Sequence, residues 1–123
     1  MFFHIFANMS ENRVVIGLTE KVVVIGKNGR NRRVSARIDT GATKSSIDTE
    51  LAAEMQLGPI VDYTLVKSAS GSSQRPVLEA EIVMQGKKIR SKFTVAQREH
   101  MTYKVLIGQN ILKRHKFLID PTK

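Results

Sequence analysis

The chain has 123 residues, of which 41% are hydrophobic, so it contains enough apolar material for one domain with a modest core. It has no cysteine, which excludes disulfides and thiolate metal sites and agrees with a cytoplasmic location, which we expect. The 20 Lys and Arg residues outnumber the 11 Asp and Glu residues, and the net charge of +9 leaves binding to nucleic acid or to an acidic protein surface open.

The first nine residues are apolar but too few to cross a bilayer, and they contain no basic residue and no small-residue cleavage site. We therefore expect neither a signal peptide nor contact with a membrane. Met9 followed by Ser10-Glu11-Asn12 is typical of a translation start. We expect residues 1–11 to be a disordered or merely appended N-terminal extension, and residues 12–123 to form the domain.

In the first half of the chain apolar residues recur with a period of two, which predicts short strands. These strands cover Val14 to Leu18, Lys21 to Ile25 and Asn31 to Ile38. Asn28-Gly29 separates the last two, and because both positions tolerate a positive φ we predict a hairpin there. A short helix is predicted over Glu50 to Met55, with Asp48 or Thr49 as its N-cap and Gly58-Pro59 as its end.

In the second half we predict strands over Val61 to Lys67 and Arg75 to Met84, on either side of a run of small residues, Ser68 to Ser73, that we expect to be an exposed, mobile tip. If Gln85-Gly86 is a two-residue turn, the register of the next hairpin follows. It pairs Ile82 with Ile89, Leu78 with Phe93, Glu81 with Arg90 and Glu79 with Lys92. The last predicted elements are a strand over Tyr103 to Ile107, a helix over Gly108 to Arg114 and a strand over Phe117 to Ile119.

The triplet Asp39-Thr40-Gly41 lies at the end of the strand that finishes at Ile38. A carboxylate at a strand end, followed by a small residue and a permissive glycine, is the arrangement with which aspartic proteases expose a reactive Asp. That chemistry needs two carboxylates that share a proton, and the triplet occurs once. The chain can therefore be such an enzyme only if a second chain supplies the other carboxylate.

Three blocks in this order resemble the retropepsin-like aspartic proteases. They are Asp39 to Ile47, the helix Glu50 to Met55 with Leu57-Gly58 after it, and Val105 to Leu112. The segments around Arg75-Pro76, Phe93 to Ala96 and Phe117 to Pro121 are most similar to a small prokaryotic branch often labelled ATP-dependent zinc proteases. That label has no support in the sequence, because Lys27 to Arg30 is a turn without the P-loop pattern, no zinc-protease helix occurs, and the three histidines are scattered.

The resemblance implies an all-β, closed retropepsin-like (acid protease) barrel with one or two short helices and a flap hairpin, assembled as a homodimer. It implies that Asp39, Thr40 and Gly41 are the catalytic residues: Asp39 would face Asp39 of the other subunit, Thr40 would hydrogen-bond across the dimer axis, and the Gly41 carbonyl would face the substrate. The substrate-binding residues would be Ala42, Thr43, Ser70, Gly71, Ser72 and Ile107. No metal and no cofactor is implied.

One pair of positions departs from the viral members of the family. Viral retropepsins carry an acidic residue where this chain has Thr43 and an Arg where it has Gln109, and those two residues form an ion pair. The neutral residues remove both charges together, so the fold is expected to be preserved.

The expected function is that of an aspartic endopeptidase that acts on peptides or proteins. One alternative is a catalytically silent dimer of the same fold that binds peptides. Another is a basic β-barrel that binds nucleic acid or acidic protein surfaces through the runs around Arg32, Arg90 and Arg114. The basic runs contain no interleaved aromatic residues for base stacking, which disfavours nucleic acid. In an intermediate interpretation the positive field attracts acidic peptide substrates, such as glutamate-rich tails.

Overall fold

The computed structural model describes residues 13–69, 71–98 and 102–123. Within them nine strands and two α-helices occur. The strands are β1 (Val15–Ile16), β2 (Thr19–Ile25), β3 (Asn31–Ile38), β4 (Ser45–Asp48), β5 (Ile60–Ser68), β6 (Gly71–Met84), β7 (Lys87–Ala96), β8 (Val105–Ile107) and β9 (Leu118–Ile119). The helices are α1 (Thr49–Glu54) and α2 (Gln109–Arg114). The predicted N-terminal extension lies outside the described residues, and no helix within them is long and apolar enough to cross a membrane.

Six strands close into a barrel. Their order is β3-β8-β4-β7-β6-β2, and the ring closes because β2 pairs antiparallel with both β6 and β3. Strand β5 lies outside this ring and pairs with β6. Strands β1 and β9 pair in parallel and form a separate small sheet. The prediction of an all-β closed barrel with two short helices is confirmed.

Alternation along the strands fills the barrel. Completely buried side chains come from all six strands of the ring and from α2; they include Val22, Val24, Ala36, Ile47, Ile82, Met84, Ile89, Phe93, Val105, Ile107 and Ile111. Burying one large apolar side chain contributes about 1.5–3 kcal/mol relative to leaving it exposed. Both short helices are held in place by the apolar residues that they bury against the barrel, Leu51 and Ala52 in α1 and Ile111 and Leu112 in α2.

Both predicted hairpins form. Asn28 and Gly29 have φ values of 58° and 74°, and they connect β2 to β3. The turn at Gln85-Gly86 connects β6 to β7, and all four predicted cross-strand pairs are present. The ion pairs, however, are diagonal: Glu81 bonds Lys88 and Glu79 bonds Arg90, each at 3.3 Å. Long side chains reach the diagonal neighbour in a twisted pair of strands.

Two local predictions were wrong. The strands β5 and β6 extend further than predicted, because they continue to the pair Ser68 and Gly71 and so include most of the run of small residues from Ser68 to Ser73. Ser70 itself lies outside the described residues. The strand β4 was missed, because its four residues alternate too briefly to give a strand signal; it forms through parallel pairing with β7 and antiparallel pairing with β8.

Asp48 is a buried carboxylate, 1% exposed, that connects α1 to two distant segments. Its Oδ2 accepts a hydrogen bond from the N–H of Leu51 at 3.3 Å and so caps the helix, and its Oδ1 accepts one from the N–H of Arg98 at 2.7 Å. The ammonium of Lys104 lies 3.7 Å from Oδ2. Burial by itself would raise the pKa of Asp48, but the N–H groups and the nearby ammonium stabilise the charge and lower the pKa below its ordinary value.

We predict that Asp48→Asn flattens the acid dependence of stability. The folded-state pKa of Asp48 lies below the ordinary value of 3.8, so the charge stabilises the fold above that pH and the contribution is lost as the pH falls through the folded-state pKa. At pH 7 the free energy of unfolding of the variant should be lower than that of the wild type by about 1.5–3 kcal/mol, the range for a hydrogen bond to a charged group. Near pH 3 the difference from the wild type should shrink.

Urea unfolding at both pH values and at one protein concentration measures this difference. Asp62→Asn, which neutralises an exposed carboxylate on β5, is the matched control. A difference between wild type and Asp48→Asn that stays constant with pH would contradict the prediction.

Candidate active site

The loop that follows β3 holds Asp39 in a fixed position. The N–H of Asp39 donates to the carbonyl of Ile107 at 2.9 Å, at the point where β3 and β8 run in parallel. The N–H of Gly41 donates to Oδ1 of Asp39 at 2.9 Å, and the N–H of Ala42 donates to the Asp39 carbonyl at 3.3 Å. Asp39 is half-buried, whereas Thr40 and Gly41 are exposed. The loop therefore presents an oriented carboxylate at the protein surface.

The β8–α2 junction supports this loop from beneath. The N–H of Gln109 donates to the Ala42 carbonyl at 2.7 Å, and the N–H of Asn110 donates to the Thr43 carbonyl at 3.2 Å. Gly108 makes the approach possible, because a Cβ at this position would lie 2.4 Å from the Lys44 carbonyl oxygen. The two segments are nearly seventy residues apart in sequence, and their backbones touch.

A buried polar network extends the same support to β7. The Ser45 hydroxyl accepts the N–H of Gly108 at 2.9 Å and donates to Oδ1 of Asn110 at 2.7 Å. The amide of Asn110 then donates to the Ser91 hydroxyl and to the Lys92 carbonyl, each at 3.1 Å. Ser45 is completely buried, so these bonds matter for stability. Ser45 and Asn110 lie in two of the blocks that resemble the retropepsin-like proteases, but neither residue was predicted to have a role.

The two neutral substitutions at the family's ion-pair positions have different surroundings. The side-chain amide of Gln109 donates to the Thr40 carbonyl at 2.7 Å, which ties α2 to the exposed tip of the loop. Thr43 is exposed. A neutral side-chain hydrogen bond within the chain thus anchors the loop.

A cleft of about 460 Å³ adjoins the loop. One wall is the loop and β4, and the other is the arm of the β5–β6 hairpin; the lining includes Gly41, Ala42, Thr43, Lys44, Thr64, Leu65, Val66, Lys67, Arg75 and Leu106. Lys44 crosses the cleft, and its ammonium donates to the Thr64 hydroxyl at 2.5 Å. Three cations therefore lie in the lining, those of Lys44, Lys67 and Arg75.

The predicted substrate-binding residues are distributed unevenly around the cleft. Ala42 and Thr43 line it, while Gly71 and Ser72 lie exposed at the hairpin end, beyond the lining. Ile107 is completely buried opposite Ile38 inside the barrel, so its side chain does not face the cleft. Leu106 does, because neighbouring residues of a strand point to opposite faces. That alternation was visible in the sequence and would have identified Leu106.

On the other side of the loop lies an apolar surface. A concavity of about 440 Å³ is lined by the apolar side chains of Leu112, Phe117 and Ile119, by Thr40 and Gln109, and by the basic residues Arg13, Lys113 and Lys116. Large apolar side chains are exposed elsewhere on this part of the chain: Val15 by 41% and Leu118 by 37% in the β1–β9 sheet, and Leu18 by 52% just before β2. Leu18 adjoins the loop directly, since its carbonyl accepts the N–H of Ile38 at 2.9 Å. Within the described part of the chain, no three His, Asp or Glu side chains converge in a way that would hold a metal ion.

Residues 48–123 match the sequence profile of a family described as RimB-like, retropepsin-like aspartic endopeptidase RimB. A curated relative is DNA damage-inducible protein 1 of Saccharomyces cerevisiae, which is 30% identical over 94 residues, or 73% of this chain. The chain spans about a fifth of the length of that relative, 21%. The predicted membership of the retropepsin-like aspartic proteases is confirmed. The profile match begins at Asp48 and so does not include Asp39.

Solved structures of other proteins share the fold. A Legionella pneumophila protein of unknown function superposes with a TM-score of 0.60 at 19% identity, over 89% of this chain and 94% of that one. The simian foamy virus protease superposes with a TM-score of 0.58 at 17% identity, over 77% of this chain and 91% of that one. The EIAV protease, complexed with the inhibitor HBY-793, superposes with a TM-score of 0.62 at 20% identity, over 80% of this chain and 88% of that one. The barrel is therefore retropepsin-like, as predicted.

We predict that Gly108→Ala destabilises the protein by about 3 kcal/mol, because the added methyl group meets the Lys44 and Ala42 backbones, which cannot move aside as a flexible side chain would. Gly86→Ala is the control: Gly86 has a φ of 72° and open space around its Cβ position, so the same change there costs only the backbone strain, about 1 kcal/mol. Chemical denaturation compares the two variants. Equal losses would show that the close approach at Gly108 carries no special cost.

Proposed function

Because the chain belongs to the RimB-like family of retropepsin-like aspartic endopeptidases, we propose that it hydrolyses peptide bonds as a homodimer, with Asp39 of each subunit activating the water. The observation that carries this proposal is the loop geometry. Asp39 is oriented by the Gly41 N–H and anchored to β8 through the Ile107 carbonyl, and it lies at an exposed loop rather than in the core.

The proposed reaction uses two carboxylates that hold one proton between them, since two like charges in one site do not both ionise. The ionised Asp39 takes a proton from the water, whose oxygen bonds to the carbonyl carbon. The protonated Asp39 of the other subunit gives its proton to the carbonyl oxygen. When the C–N bond of the resulting diol breaks, the Asp39 that took the water proton gives it to the amine nitrogen, and the other Asp39 takes the proton of one diol hydroxyl, which becomes the carbonyl of the product acid. The pair is then left with one proton, as at the start. The Gly41 N–H keeps one Asp39 oxygen in a fixed direction throughout.

A second subunit has a suitable surface to cover. Thr40 lines the concavity with Phe117 and Ile119, and Val15 and Leu118, which pair with each other in the adjoining β1–β9 sheet, are exposed on the other face of that sheet. Apolar residues in such a cluster are the usual content of an oligomer interface. A two-fold axis beside Thr40 would bring the two Asp39 loops together, and the proposed activity requires that arrangement.

The cleft favours an extended, acidic peptide as the substrate. Its lining contains Lys44, Lys67 and Arg75 and no carboxylate; Asp39 lies just outside the lining, two residues before Gly41. The β5–β6 hairpin would act as a flap that closes over the bound peptide and excludes water from the dyad. We propose Gly41, Ala42, Thr43 and Leu106 as substrate contacts, together with Gly71 and Ser72 once the hairpin closes.

We predict that Asp39→Asn abolishes peptide hydrolysis, because the amide can neither accept the proton of water nor donate an acidic one. Wild type, Asp39→Asn and the control Asp62→Asn are incubated with a proteome-derived peptide pool at several pH values, and mass spectrometry maps the cuts. Cuts made by the wild type and Asp62→Asn alone support the proposal, and the residues around them report the side-chain preference. Full activity of Asp39→Asn would refute it. Peptide binding without any cuts would favour the silent dimer.

We predict that Leu118→Asp converts the protein to a monomer without hydrolytic activity, because it places a charge in the proposed apolar interface. Val61→Asp, at a residue that is 47% exposed on β5, should leave both properties unchanged. Sedimentation equilibrium gives the mass and circular dichroism verifies the fold. A monomeric variant that still cleaves peptides would exclude a shared dyad.

A further inference from the structure

One buried side-chain polar atom in the described part of the chain lacks a hydrogen-bond partner there: Nε2 of His115, the residue that follows α2. The backbone N–H of His115 donates to the Ile111 carbonyl at 3.1 Å and ends the helix. The imidazole packs against the ring of Phe117, with 6.1 Å between the ring centroids and an angle of 40° between the planes. A buried nitrogen without a partner is costly, so the protonation state of this ring affects how the end of α2 packs.

The charges that act on His115 are positive. The ammonium of Lys87, at the start of β7, lies 5.4 Å from the centroid of the Phe117 ring, and Arg114 precedes His115 in the chain. Burial of the imidazole, and then the positive charges of Lys87 and Arg114, lower the pKa of His115 below its ordinary value of 6.5. No carboxylate of the described residues contributes to this balance. These surroundings therefore favour the neutral imidazole.

Helix α2 connects His115 to the catalytic loop. It has only six residues, fewer than two turns, and a helix this short is not stable without its contacts to the rest of the protein. Its first two N–H groups bond carbonyls of the Asp39 loop, and its last turn leads directly into His115. A displacement at the His115 end therefore changes the support that the other end gives to the loop.

We infer that His115 is an acid-sensitive positioning residue, which holds α2 beneath the Asp39 loop while its imidazole is neutral and releases the end of the helix when the imidazole is protonated. A protonated ring would bury an N–H without an acceptor beside two cations, so it would leave Phe117 for solvent. Because the pKa is lowered in the folded state, the stabilising contribution is complete above about pH 6.5 and is lost as the pH falls from there through the folded-state pKa. Any effect on hydrolysis rests on the proposed function, whereas the movement of the helix does not.

The test uses the full chain with His4→Gln and His100→Gln, so that His115 is the only histidine of the three that remains. Heteronuclear NMR follows the Cε1–H signal of its imidazole from about pH 7.5 to about pH 5, and hydrogen–deuterium exchange with mass spectrometry follows the peptides that contain residues 40–45. The titration midpoint should lie below 6.5. Exchange of the loop peptides, corrected for its intrinsic pH dependence, should rise about fivefold through that midpoint. Adding His115→Phe, which keeps an aromatic ring against Phe117, should reduce the rise to less than about twofold.

A second variant keeps the test decisive if His115→Phe packs poorly. Lys87→Gln removes one of the two cations that act on the imidazole, so it should raise the titration midpoint of His115 and, with it, the pH of the loop transition. Lys27→Gln removes the same charge from the exposed turn between β2 and β3 and should change neither value.

The inference is wrong if the midpoint of His115 lies at or above 6.5, if loop exchange rises as much in His115→Phe, or if Lys87→Gln and Lys27→Gln have the same effect. It is also wrong if exchange rises equally in all peptides, because that result indicates general unfolding. In an enzyme that cleaves peptides, His115→Phe should move the acid limb of the kcat/KM profile to lower pH, and an unmoved limb would overturn the link to the reaction. A wild type that cleaves nothing would count against the proposed function and leave the positioning role to be decided by exchange.

Discussion

The close contact between the β8–α2 junction and the Asp39 loop is the constraint on which the candidate site depends. At Gly108 the two backbones approach so closely that no side chain fits between them. The first N–H groups of α2 can then bond the loop carbonyls of Ala42 and Thr43. The loop is a surface segment without regular structure, and its shape comes from this support. The orientation of the Asp39 carboxylate therefore depends on Gly108, which lies far away in the sequence.

The closed barrel gives that contact its rigidity. β8 lies between β3 and β4, so the strand that leads into the loop and the strand that leaves it are both paired with the strand that supports it. The side chains of Ile38, Ile47 and Ile107 pack inside this part of the barrel. Any displacement of the loop would have to disturb a core that is packed on all sides.

Local signals in the sequence predicted the parts of the fold that local chemistry determines. The turn at Gln85-Gly86 fixed the register of β6 and β7, and Asn28-Gly29 identified the first hairpin. The position of Asp39 at a strand end followed from its motif. Features that depend on contacts between distant residues were not predicted: the strand β4 exists because of its neighbours, and the Ser45–Asn110 bond joins residues that only the fold brings together. The sequence also did not show which residues of β8 reach the cleft: Ile107 is completely buried in the barrel, and its neighbour Leu106, on the opposite face of the strand, lines the cleft.

The paired arms of the β5–β6 hairpin restrict how its length can change in evolution. Every residue from Asp62 to Ser68 has a partner on β6, up to the pair Ser68 and Gly71. A single inserted residue would rotate one arm and turn Thr64 and Val66 away from the cleft. Related chains can therefore lengthen or shorten this hairpin only by adding or removing residues in matched steps on both arms, or by absorbing an odd residue in a bulge such as the irregularity between Ile60 and Asp62.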